Sequence, residues 1–180
     1  MEQQITIRKA TPNDRERVFL LYKEVASIPG GIARTSDEIS EEYVADFFRR
    51  SASSGIHLLA EDLANPQVLV AEIHCSVLGP KVFEHILGDL TLVVHPHYHG
   101  KGIGRKIFSE LLRVVEEEMP EILRVELIVR ESNTKAIELY KKLGFMVEGA
   151  LKNRIRNSDG SLEADIPMAW MRINLISTSR

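Results

Sequence analysis

Residues Val93–Lys106 read VVHPHYHGKGIGRK. Two chemistries compete in this stretch. His95, His97 and His99 alternate, and on a regular strand they would share one face and suit a metal ion. Gly100, Gly102 and Gly104 also alternate, and glycine permits backbone twists that turn several N–H groups onto one anion. The histidine reading is weakened by its own context. Pro96 and Gly100 interrupt any regular strand, and no carboxylate or cysteine within the segment completes a ligand set. Such a run takes up metal adventitiously, so no metal is expected.

The residues that follow favour the glycines. IGRKIFSELLRVVEEEM sets Ile103, Ile107, Leu111 and Val114 on one helical face. First turns of helices normally collect Asp and Glu. Here Lys101, Arg105 and Lys106 crowd the start and Glu116, Glu117 and Glu118 the end. That order opposes the helix dipole at about 0.3–1 kcal/mol per misplaced charge. A polyanion at the helix start would resolve the conflict. The loop alone does not name the polyanion. Gly-Lys-Ser/Thr, as in a Walker A loop, is absent, and Arg105 stands where the third glycine of a dinucleotide fingerprint belongs.

Upstream, Ile5–Ala10 alternates as a strand. Thr11-Pro12 starts a helix that carries Val18, Leu21, Tyr22 and Val25. Ile28–Glu38 breaks that helix with Pro-Gly-Gly, and a second begins after Ser36 and runs through Tyr43, Phe47 and Phe48. Ile56–Leu63 and Gln67–Val77 read as strands joined by an Ala-Asn-Pro turn, with His85–Val94 a further strand. Downstream, Leu123–Val129 is a strand, and NTKAIELYKKLGF is a helix ending at Gly144. Two more strands, FMVEGALKNRIR and ADIPMAWMRI, flank the hairpin turn Asn157–Gly160. The strand–helix–strand unit in the second half requires a parallel pair, and the hairpins require antiparallel ones. The fold class is therefore mixed α/β.

Composition sets the outer limits. At 180 residues, 44% hydrophobic and 27% charged, the chain suits one domain, residues 1–180. Its single cysteine, Cys75, rules out an internal disulfide framework and reads as a small core residue. No apolar run approaches a membrane span, and MEQQITIRKA is too polar for a signal peptide. A soluble, cytoplasmic protein is expected, with no membrane partner. The net charge of −3 argues against a nucleic-acid partner and suits a cationic substrate.

LTLVVHPHYHGKGIGRKIF and VELIVRESNTKAIELYKKLGFMVEG together resemble the GNAT superfamily of N-acetyltransferases. The family's loop Arg/Gln-x-x-Gly-x-Gly/Ala stands here as His99-Gly100-Lys101-Gly102-Ile103-Gly104. Its second signature stands as Asn133, Ala136, Tyr140, Gly144 and Phe145. One departure is His99 in the first loop position, a donor that reaches less far than Arg or Gln. The resemblance implies a GNAT-like sheet, mostly antiparallel with one parallel pair and flanked by helices. It implies acetyl-CoA as donor and a primary amine as acceptor.

By the same resemblance, the backbone of Val93 and Val94 would meet the pantetheine arm. The N–H groups of Gly100–Gly104, including Ile103, would hold the diphosphate. Lys101, Arg105 or Lys106 would meet the 3′-phosphate, and Asn133 would touch CoA while capping the last helix. Tyr140 falls at the position of the acid. The base stays open between Asp89, on the strand leading to the loop, and Glu72 on the neighbouring strand. His74 and His57 are weaker candidates. Arg34 could pair with a substrate carboxylate. Free amino acids or related small amines are the first expectation for the acceptor. Protein N-termini, polyamines and aminoglycosides stay open. A non-catalytic acyl-CoA-binding module is the alternative. Many relatives dimerise, but nothing in the sequence fixes the oligomeric state.

Overall fold

The computed structural model describes residues 4–28 and 30–172. Pro29 of the expected Pro-Gly-Gly break and Ile173 of the expected last strand lie outside them. The chain divides into two compact units. Of the described residues, one comprises 4–28, 30–76 and 91–114, the other 77–90 and 115–172.

The first unit begins with β1 (Ile5–Lys9), which pairs antiparallel with β2 (Gly55–Asp62); β2 pairs antiparallel with β3 (Leu69–Val77). The C-terminal half of β4 (Ile86–Val94) lies next to β3, and just beyond it the His95 N–H donates to the Val70 carbonyl at 2.8 Å. Against these strands pack α1 (Arg15–Ala26) and α2 (Glu41–Ser54). Val18, Leu21, Tyr22, Phe47, Leu59 and Val93 share one buried cluster. β3 is buried along nearly its whole length, so it reads as an apolar run where an exposed face would alternate. Cys75 lies within it, fully buried, and burial pushes its thiol up to about 12.

The expected start at Thr11-Pro12 is present, but it opens as a 3₁₀ turn, Pro12–Asp14, ahead of α1. Thr11 donates to Asp14 Oδ2 from both its N–H and its hydroxyl, each at 2.8 Å. Arg8 closes the corner with a two-pronged bond to the same carboxylate, at 2.7 and 2.9 Å. The Arg8 hydrogen bond, opposed by burial and helped by Thr11, holds the Asp14 carboxyl well below the usual carboxylate range. Replacing Asp14 by Ala is expected to cost about 1–3 kcal/mol, measured by thermal or denaturant unfolding. A depressed native pKa stabilises above the unfolded value of about 3.9 and ceases to do so as pH falls through the folded value. The penalty of Asp14→Ala should therefore be full at pH 7 and shrink as the solution is acidified below pH 4.

The second helix starts later than expected. Ser36–Glu38 forms a 3₁₀ turn, Ile39 is extended, and the Ser40 hydroxyl accepts the Tyr43 N–H to cap α2 at Glu41.

In the second unit the strand order is β4, β5 (Arg124–Arg130), β8 (Leu162–Met171), β6 (Met146–Val147), with β7 (Leu151–Arg156) also on β8. The expected parallel pair is β4 with β5, in register at Ile86↔Arg124 and Leu87↔Val125. Strands β5, β6 and β7 all pair antiparallel with β8. α3 (Ile103–Glu118) makes the crossover between β4 and β5. The class is thus the expected one, a mixed α/β fold with mostly antiparallel strands, one parallel pair and flanking helices. The single strand expected over Phe145–Arg156 is two, β6 and β7. The turn at Asn157–Gly160 closes as expected, with the Gly160 N–H on the Asn157 carbonyl and Gly160 at φ 85°. Asn133 caps α4 (Thr134–Lys142), and Gly144 takes the left-handed conformation after it. Among the described residues no helix is long and apolar enough to cross a membrane.

Candidate active site

In the first unit, β4 ends at Val94 and the chain turns through a 3₁₀ turn, Pro96–Tyr98, before α3 begins at Ile103. The histidines therefore do not share a strand face. His95 Nε2 lies 3.1 Å from a Glu24 carboxylate oxygen, and His95 Nδ1 accepts the His97 N–H at 3.2 Å. His99 Nε2 lies 2.9 Å from the Val94 carbonyl. His99 thus closes the loop onto the end of β4. Beneath it the buried Tyr98 donates to Asp62 of β2 at 3.1 Å, and Lys101 Nζ sits 4.8 Å over the Tyr98 ring.

The glycines differ from one another. Gly100 and Gly102 have φ of 75° and 74°, and a Cβ on either would meet nothing within 4 Å. They are glycine because the backbone is left-handed there and not because a neighbour crowds them. Gly104 lies inside the helix, where a Cβ would sit 3.6 Å from Leu92 and Val94. The Lys106 N–H reaches the Gly102 carbonyl at 3.0 Å. In an α-helix the N–H groups of Ile103, Gly104 and Arg105 then lie ahead of the first intrahelical bond. A left-handed glycine pair, unpaired helix N–H groups and exposed Lys101, Arg105 and Lys106 form a cradle that suits a diphosphate.

Glu72, on β3, is fully buried. Its Oε2 accepts the Tyr22 hydroxyl at 2.7 Å, and its Oε1 lies 2.8 Å from His74 Nδ1 and 2.9 Å from His57 Nε2. Burial is the largest influence on Glu72 and pushes its pKa up, but His74 and His57 together bring it down to about 2. The sequence treats Glu72, His74 and His57 as separate strand residues. The structure makes them one cluster and adds Tyr22 and Ser51. Arg34 is exposed and lies with its guanidinium 4.3 Å over the Tyr43 ring.

In the second unit, Asp89 is exposed on β4 with φ 50°, a left-handed residue inside a strand. It lies two residues after Leu87, which pairs with Val125 of β5. Asp tolerates that conformation better than most residues. Tyr140, on α4, packs its ring 6.0 Å from Phe145, and burial pushes its hydroxyl up to about 12. Asn133 Oδ1 accepts the Ala136 N–H at 3.2 Å.

A sequence profile of the Acetyltransferase (GNAT) family matches residues 21–145. The chain belongs to that family. Among curated proteins it is 34% identical over 67 residues to spermidine N(1)-acetyltransferase of Escherichia coli K12, covering 37% of this chain and 36% of that protein. It is 34% identical over 84 residues to the ribosomal protein bS18-alanine N-acetyltransferase of the same strain, covering 45% of this chain and 55% of that protein. The chain thus spans about a third to a half of these relatives. Among solved structures, a GNAT-family acetyltransferase of Streptococcus pneumoniae superposes with a TM-score of 0.82 at 23% identity, covering 94% of this chain and all of that one. The yncA protein of Salmonella typhimurium, solved with its cofactor acetyl-CoA, superposes with a TM-score of 0.73 at 20% identity, covering 93% of each chain.

Proposed function

We propose that the chain is an N-acetyltransferase that works as one domain over residues 1–180. It moves an acetyl group from acetyl-CoA to the primary amine of a small molecule by direct attack in a ternary complex. The observation that carries this reading is the Gly100–Gly104 cradle at the start of α3, in a chain whose family membership is established. Acetyl-CoA supplies the acetyl group as an activated thioester. The loop N–H groups bind its diphosphate, Lys101, Arg105 and Lys106 its 3′-phosphate, and the backbone of Val93 and Val94 its pantetheine arm. Asn133 adds a further CoA contact. His99 acts indirectly, by fixing the Val94 carbonyl at the loop entrance.

The attacking amine must be neutral, so a proton has to leave its ammonium form. Two carboxylates are candidates on sequence grounds. Glu72 is sealed from solvent and engages both oxygens. We therefore assign the base to the exposed Asp89, acting through a water. Asn also tolerates the left-handed backbone at this position. Asp89→Asn is expected to fold normally, lower kcat/KM and change its profile against pH. An unchanged profile would transfer the role to another group.

Tyr140 serves the leaving sulfur. A thiol, with an ordinary pKa near 8.5, is a stronger acid than a hydroxyl pushed to about 12. Full proton transfer from Tyr140 is therefore uphill, and its hydroxyl acts chiefly as a hydrogen-bond donor to the charge that develops there.

Arg34 on the acceptor side favours an amine that also carries a carboxylate. Thiol release with acetyl-CoA and an amine panel tests this. Free amino acids are expected to outperform spermidine. The ribosomal-protein relative supports a second reading, a peptide N-terminus as acceptor, and alanine-initiated peptides in the panel test it. No thiol release with any amine would leave the non-catalytic acyl-CoA-binding module. We read the protein as cytoplasmic, with neither nucleic acid nor membrane as partner, and as a monomer or homodimer.

A further inference from the structure

The first unit holds a cluster that the proposed reaction does not use. In the antiparallel pairing of β2 and β3, His57 lies directly opposite His74. Glu72 precedes His74 by two residues, so its side chain emerges on the same face. All three side chains are buried, and one ligand-competent atom from each falls within 4.8 Å of the others.

One of these atoms stands out. His57 Nε2 is buried and faces Glu72 Oε1 at 2.9 Å, but the two are not aligned as a regular hydrogen bond. The distance is suitable but the direction is not. A buried nitrogen held beside a carboxylate in poor alignment gains less than a well-directed hydrogen bond would give and calls for an explanation.

The surroundings hold the three groups in place. Ser51 Oγ lies 3.2 Å from His57 Nδ1 and donates to the Phe47 carbonyl at 2.7 Å. The Tyr22 hydroxyl donates to Glu72 Oε2 at 2.7 Å and lies 3.4 Å from His74 Nδ1. Phe47 stacks on His74 at 4.1 Å between centroids, and Phe48 packs edge-on to His57 at 4.3 Å. Imidazoles and carboxylates oriented by outer hydrogen bonds, inside an apolar shell, are the surroundings a metal ion needs.

We propose that His57 Nε2, His74 Nδ1 and Glu72 Oε1 form a binding site for one divalent transition-metal ion, Zn²⁺ by preference, with the Tyr22 hydroxyl beside the fourth position. Two imidazole nitrogens and one carboxylate oxygen match zinc, whereas calcium and magnesium call for oxygen donors. Donors about 2.0–2.1 Å from a tetrahedral zinc stand roughly 3.3 Å apart, so Glu72 Oε1 would move a few tenths of an ångström away from each imidazole nitrogen. The ion would give the poorly aligned His57 nitrogen a directed bond and tie β2 to β3 within the first unit. Its role is structural, and acetyl transfer does not pass through it.

Protein stripped with a chelator and titrated with Co²⁺, then Zn²⁺, tests the proposal. One equivalent of Co²⁺ should bind with a visible absorption band, and Zn²⁺ should displace it. Zn²⁺ at about a hundredfold excess over its dissociation constant should raise the unfolding temperature by about 5–10 °C. Glu72→Gln and His74→Gln should weaken binding at least tenfold. The triple variant His85→Ala/His97→Ala/His99→Ala should bind as the wild type does. Three outcomes would overturn the site: a wild-type protein with neither band nor thermal response, binding lost in the triple variant, or binding undiminished in folded His74→Gln. Because the first outcome is read on the wild type, the test stands even if the core variants fail to fold.

Discussion

Gly102→Glu is expected to lower CoA affinity by about a hundredfold or more while the protein stays folded. Two effects add. Gly102 has φ 74°, where an L-residue costs about 1–2 kcal/mol, so the free loop would relax out of the cradle conformation and binding would have to restore it, each 1.4 kcal/mol being tenfold in affinity. The new carboxylate would also enter a cradle of N–H groups and cations and compete with the diphosphate for them. A Cβ at Gly102 meets nothing within 4 Å, so no core packing is disturbed and thermal unfolding should shift only modestly. Gly102→Ala separates the effects, because it carries the backbone strain without the charge and should lose affinity far less. Gly104→Ala is the contrast, since its Cβ would make ordinary contact with Leu92 and Val94 inside a helix. Undiminished affinity in a folded Gly102→Glu protein would show that the loop does not touch the ligand.

Tyr140→Phe should lower kcat by about 10²–10³ with a much smaller change in KM, the size of one lost donor to developing charge. The variant keeps the ring that packs against Phe145, so its stability should hold. The raised pKa gives the sign of the pH effect. With its hydroxyl pushed up to about 12, wild-type Tyr140 remains protonated through pH 10, so its ionisation should not produce a fall in kcat between pH 8 and 10. Unchanged turnover in Tyr140→Phe would remove the residue from the chemistry.

The fold was legible in the sequence where local chemistry decides it. Thr11-Pro12, Asn133 and the Asn157–Gly160 turn each specify a boundary with their own side chains or backbone, and each lies where expected. The glycine loop was equally legible, since a left-handed backbone and a reversed charge order are both local signals. Boundaries slipped where the deciding contact was less apparent, as at α2, which waits for the Ser40 cap although Ser36 offers similar chemistry.

The cluster around Glu72 was the least legible part. His57 and His74 meet only because β2 and β3 pair in one register, and Tyr22 arrives from α1. Taken singly, each reads as an ordinary strand or helix residue. A faint signal did exist: Glu72 and His74 sit in a run otherwise apolar enough to be buried, and a buried ionisable group requires partners. The turn of His99 back onto Val94 and the stacking of Arg34 over Tyr43 left no trace in the sequence, because both depend on how loops settle against their own neighbours.

Calorimetric titration of the wild-type protein with acetyl-CoA tests the central claim most directly. One equivalent should bind, with an affinity that falls as salt rises, because phosphate charges meet Lys101, Arg105, Lys106 and the start of α3. The absence of binding heat, with no protection of the loop amides from hydrogen exchange at millimolar acetyl-CoA, would contradict the account.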